Sequence, residues 1–85
     1  KNKSVDVGDS ITENAGKNIG VTAGENVTIS AGKNMVVDAG DQITIKTGSA
    51  SITMKSNGDI VIKGGKITVN ASGDLALKGS QITQN

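Results

Sequence analysis

Gly24-Glu25-Asn26-Val27-Thr28-Ile29-Ser30-Ala31 runs directly into Gly32-Lys33-Asn34-Met35-Val36-Val37-Asp38-Ala39, and the second octad repeats the first position by position. Each opens on glycine and a charged residue, places two apolar side chains one residue apart, and closes on alanine. Self-similarity at a fixed short period is the mark of a chain built from stacked units. Working outward, glycine recurs at Gly8, Gly16, Gly24, Gly32, Gly40 and Gly48 with a strict period of eight.

The apolar pairs carry the beat further than the glycines do. They recur as Val5/Val7, Ile19/Val21, Val27/Ile29, Met35/Val37, Ile43/Ile45, Ile52/Met54, Ile60/Ile62, Ile67/Val69 and Leu75/Leu77, with Ile11/Glu13 in the slot between Val7 and Ile19. From Ile11 to Ile82 the leading members take nine steps over 71 residues, an average step close to eight. From the Ile11/Glu13 slot onward a small residue follows at the next same-side position: Ala15, Ala23, Ala31, Ala39, Thr47, Ser56, Gly64, Ala71 and Gly79.

Alternation with period two puts the two apolar residues and the small one on the same face of a short strand. The other face is polar, with Thr12, Thr28, Thr44, Thr53, Thr68 and Thr83 between the apolar members. Threonine suits such a face because it is both β-branched and polar. Glycine with a polar follower supplies the corner, so a five-residue strand and a three-residue corner make each octad. A helix is excluded, since apolar residues recur at i and i+2 and a glycine every eighth position costs about 1 kcal/mol relative to alanine.

Because every segment is alike and the corners often read Gly-Asp or Gly-Lys, winding in one direction is expected rather than a meander of hairpins. Two arrangements satisfy that: a triangular solenoid wound by one chain, and a prism wound by three. The residue after each glycine alternates in sign, Asp9, Lys17, Glu25, Lys33, Asp41, and both arrangements bring opposite signs together. Core size favours three chains. A one-chain coil of 85 residues has fewer than four turns, without the aromatic or helical caps that close solenoids. Three chains triple the core and leave no lateral sheet edge. The fold class expected is therefore all-β, a triple-stranded intertwined β-helix, and the whole of residues 1–85 is read as one needle domain.

Composition points the same way. His, Cys, Phe, Tyr, Trp and Pro are all absent while Gly reaches 12. A small domain without disulfides or zinc-type ligands must gain stability from association. The same absences leave no nucleophile and base to pair, so no enzyme activity, cofactor or metal site is expected. A calcium-binding β-roll would need a Gly-Gly-x-Gly-x-Asp repeat, whereas Gly64-Gly65 occurs once and Asp9, Asp41, Asp59 and Asp74 follow single corner glycines. Nine basic and eight acidic residues, scattered singly to a net charge of +1, give no footprint for nucleic acid. No apolar run has the length of a membrane span, and residues 1–10 lack a signal-peptide core, so the sequence reads as soluble.

Octads such as Gly24-Glu25-Asn26-Val27-Thr28-Ile29-Ser30-Ala31 resemble the repeat of the valine-glycine repeat (VgrG) spike proteins of bacterial type VI secretion. The ending Ser72-Gly73-Asp74-Leu75-Ala76-Leu77-Lys78-Gly79-Ser80-Gln81-Ile82-Thr83-Gln84-Asn85 is similar to the closing segment of that family's needle. The resemblance covers essentially the whole chain. It implies a homotrimeric, membrane-puncturing needle related to that of contractile phage tails, assembled in the bacterial cytoplasm and translocated into a target cell or the medium. It also implies a PAAR-repeat protein seated on the blunt C-terminal end, with effector proteins carried on the spike.

The hub domains of a complete spike have no counterpart in residues 1–85, so the resemblance implies a C-terminal piece of a longer protein. Its tip segment is 80–85, where Gln81, Ile82, Thr83, Gln84 and Asn85 would meet the capping partner. Under the prism reading, axial strand spacing of about 4.8 Å over eleven units gives a rod on the order of 50 Å long. Glu13 takes an inward position, where three carboxylates would hold a cation or water or the end would fray. The alternative class is a one-chain β-solenoid that binds a surface, an adhesin or an ice-binding protein, through its threonine column.

Overall fold

The structure, a computed structural model, describes residues 2–85. It is all-β. The only strands among the described residues are β1 (Gln42–Thr47), β2 (Ala50–Lys55) and β3 (Ile60–Lys63), and no helix is present, hence none long and apolar enough to cross a membrane. The chain divides into two units between Met35 and Val36.

The octad beat is written into the backbone. Bends fall at Gly8-Asp9, Gly16-Lys17, Gly24-Glu25 and Gly32-Lys33 in the first unit, and at Gly40-Asp41, Gly65-Lys66 and Ser72-Gly73 in the second. These are the corners that glycine and its polar neighbour were expected to make. Between them, residues 2–40 form no strand and no backbone hydrogen bond with any other described residue. The same holds from Gly64 onward.

Between Gln42 and Lys63 the chain departs from the expected one-way winding and forms an antiparallel meander, β1-β2-β3. The reason lies in two turns. β1 and β2 are joined by Gly48-Ser49, flanked by the Thr47–Ala50 pair, with Gly48 at φ +54° and Ser49 at negative φ. Positive φ at the first central position alone is the type II′ arrangement, whose twist matches that of paired strands and which glycine adopts without steric cost. β2 and β3 are joined by Ser56-Asn57-Gly58. Here the Gly58 N–H donates to the Lys55 carbonyl (3.0 Å), the Lys55 N–H donates to the Asp59 carbonyl (2.9 Å), and Gly58 sits at φ +99°. This is the three-residue loop in which a type I turn ends on a left-handed glycine. The Asn57 side-chain oxygen accepts from the Asp59 N–H at 3.1 Å, which fixes the exit of the turn.

Register follows from a single inserted residue. Leading apolar members step by eight up to Ile43, then by nine to Ile52. Across a two-residue hairpin, facing residues have opposite parity, so only an odd step puts both apolar pairs on one face. The observed partners are Ile43↔Met54 and Ile45↔Ile52. The three-residue loop needs an even step, and Ile52 to Ile60 is eight, giving Ile52↔Ile62 and Met54↔Ile60. Ile43, Ile45, Ile52, Met54, Ile60 and Ile62 therefore share one face. Gln42, Thr44, Lys46, Ser51, Thr53, Lys55, Val61 and Lys63 share the other.

No described hydrophobic side chain is buried. The 8.5 kDa chain exposes 9079 Å², where a compact monomer of that mass would expose about 4,700 Å². Even Ile52 and Met54, on the central strand, remain 39% and 42% exposed. The apolar positions specified by the repeat are present in sequence and uncovered in the single chain.

Candidate functional site

Gln81, Ile82, Thr83, Gln84 and Asn85 follow a bend at Ser80 and form no strand. All five are exposed, Ile82 by 62%, and none joins a side-chain hydrogen bond among the described residues. A Cβ at Gly79 would lie 3.5 Å from the Gln81 carbonyl oxygen, an ordinary contact, so the segment turns without crowding. Within one chain these residues offer a row of amide and hydroxyl groups around a single aliphatic side chain.

The second candidate is the apolar face of the meander. An open groove of about 500 Å³ is lined by Ile45, Ile52, Ile62 and Ile67, with Ala50 and Gly64 beside them. Ile67 reaches it because the octad step shortens to seven between Ile60 and Ile67. Its Cγ1 lies 3.4 Å from where a Cβ on Gly64 would stand, so glycine there lets the side chain close in. Lys46, Lys63 and Lys66 also line the groove, while the strand positions of the apolar face itself carry no charged side chain.

Sequence reading did not single out this face. The signals for it were the odd step from Ile43 to Ile52 and the Asn57-Gly58 dipeptide, a strong short-range mark of a hairpin. Of the threonine column, only Thr44 and Thr53 lie in strands, where they stand opposite each other; Thr12, Thr28, Thr68 and Thr83 lie outside the strands. Acidic residues come together nowhere among the described residues in a group of three or more able to hold a metal ion. Glu13 is exposed, between the bends at Gly8-Asp9 and Gly16-Lys17.

Comparisons with protein-family models, with curated proteins and with solved structures give no match to this chain.

Proposed function

We propose that the chain is part of a trimeric, membrane-piercing needle of a contractile injection machine, non-catalytic, with its octads wound as a triple-stranded β-helix on either side of the meander. The observation that carries this reading is the state of residues 2–40. They bend on every octad corner, alternate apolar and polar side chains, and have no ladder partner and no cover within their own chain. Rows of unpaired N–H and C=O groups beside uncovered Val and Ile call for pairing with another chain. In a three-chain prism the strand above each octad belongs to a different copy, so one chain alone should lack that ladder. A one-chain solenoid must instead pair octads three apart, 24 residues along, and the pairs among the described residues are all between neighbouring strands.

With strands running across the axis, hydrogen bonds run along it and link the copies, so an axial push is shared by a continuous ladder. Ile, Val, Met and Leu from three chains would meet on the axis, each contributing about 1.5 to 3 kcal/mol when fully buried. Small residues such as Ala23, Ala31 and Ala39 would let the corners close. Such a rod transmits force and performs no bond chemistry. Following the resemblance of the ending, Gln81, Ile82, Thr83, Gln84 and Asn85 from three copies would form the platform for a PAAR-repeat cap. The assembly is made in the bacterial cytoplasm and translocated with its effectors.

The test combines mass in solution with a pull-down of PAAR-repeat proteins, comparing residues 1–85 with a chain ending at Gly79. A trimer that captures the cap only when residues 80–85 are present is expected. Equal capture by the shortened chain would contradict the tip assignment, and a folded monomer would contradict the needle.

A further inference from the structure

We infer that the apolar face of the Gln42–Lys63 meander is the surface on which copies of this chain first dock, and that this contact sets their register; the inference rests on the trimer reading. Regular octads cannot set register for themselves. A slip of eight residues between copies places Val27 where Met35 should be and glycine on glycine, so correct and slipped pairings are close in energy. Register must come from a segment that does not repeat. The steps of nine and seven, on either side of Ile52–Ile62, make this the one stretch between Ile11 and Leu75 that breaks the beat. It is also the stretch that orders itself, through turns that need no partner and hairpins that close within about 10 μs.

The occupant is argued from chemistry and area. Ile45, Ile52, Met54, Ile60 and Ile62 are between 39% and 65% exposed and lie together on a face whose own strand positions carry no charge, while Lys46, Lys63 and Lys66 border the groove that crosses it. A face whose own strand positions are aliphatic can cover a second copy of itself, the long lysine side chains at its border reaching out to solvent. These side chains are also the apolar members of three octads, the positions that the neighbouring repeats direct toward the other copies. The exposed apolar surface is on the order of 500 Å² per copy, the size of a functional patch and short of the roughly 800 Å² a side found in stable interfaces. It is therefore enough to start an assembly that the octads then complete.

The test uses the full chain, which has no native cysteine. Ala23→Cys places one thiol at an inward octad position, where copies in register cross-link on oxidation. In that background Gly48→Ala with Gly58→Ala strains both turns, because φ is +54° and +99° there. Gly32→Ala is the control, at a corner without positive φ and with nothing within 4 Å of the added Cβ. After dilution from denaturant, followed by light scattering, the double variant should assemble at least about tenfold more slowly. It should also lose most of its cross-linked product, while the control follows the parent chain. Assembly of the double variant at the parent rate with undiminished cross-linking would overturn the inference.

A second variant tests the same claim without weakening the meander. Thr44→Cys with Thr53→Cys, without the cysteine at position 23, joins two paired positions on the polar face and locks β1 to β2. The locked chain should assemble no more slowly than the parent; a chain that stays monomeric until reduced would overturn the inference. So would a parent trimer that still binds a hydrophobic dye as strongly as its dissociated chains, since the face would then await some other partner. A parent chain that never forms trimers would overturn the needle reading itself.

Discussion

Residues 8–40 repeat faithfully and find no partner within the chain, whereas residues 42–63 break the repeat by one residue and fold on themselves. Both regions use the same alphabet of Ile, Val, Thr, Gly and Lys, so composition does not separate them. Step parity and turn chemistry do. An even step with a Gly-Lys or Gly-Asp corner bends the chain and sends the next apolar pair onward. An odd step with Gly48 at positive φ returns the chain and lays the next pair beside the last. Strict repetition thus leaves segments without a strand partner in their own chain, and a single insertion produces a segment that pairs with itself.

The largest effect expected is from a charge placed in either region. Val27→Asp and Ile52→Asp should each abolish the trimer at micromolar concentration, because three carboxylates would meet in the core and an unpaired buried charge costs several kcal/mol. Light scattering reads the result. In the single chain Val27 is 54% exposed, so if the octads never associate, Val27→Asp will change nothing and the contrast between the regions collapses to one folded segment and one idle one.

Hydrogen exchange sharpens the comparison next. In dilute solution the amides bonded within 42–55 should already be protected, while those of 19–37 should exchange freely. On assembly the latter should slow by at least about a hundredfold. Protection of 19–37 that does not depend on concentration would mean that the octads pair within one chain.

Smaller effects come from the glycines. Gly58→Ala should cost about 1 to 2 kcal/mol of stability, the price of a side chain in a left-handed conformation. Gly24→Ala, where φ is not positive and space is open, should stabilise by about 0.4 to 1 kcal/mol by narrowing the unfolded ensemble. Denaturant midpoints of the two variants should move in opposite directions. Asn57→Ala should destabilise by an amount comparable to the gain from Gly24→Ala, about 0.5 to 1 kcal/mol, through loss of the 3.1 Å bond from the Asp59 N–H.

Much of the local structure was legible in the sequence, because it depends on neighbours in sequence. The bends at Gly8-Asp9 through Gly40-Asp41 fall where glycine and a polar residue interrupt the apolar alternation, and the all-β class follows from apolar residues at i and i+2. The meander was not read, although Asn57-Gly58 and the step from Ile43 to Ile52 signalled it. An average step close to eight conceals the odd steps of nine and seven, and parity decides which face a side chain takes. The end segment illustrates the other limit. Gln81, Ile82, Thr83, Gln84 and Asn85 stand exposed and outside any strand, and a surface that would need three chain ends leaves no trace in the geometry of one.

The most direct test of the central claim is the mass of the full chain in solution, by sedimentation equilibrium or light scattering across the micromolar range. The result expected is three times the chain mass of 8.5 kDa, with strand content and mass lost together on denaturation. A particle of 8.5 kDa that retains full β-structure on dilution would contradict it.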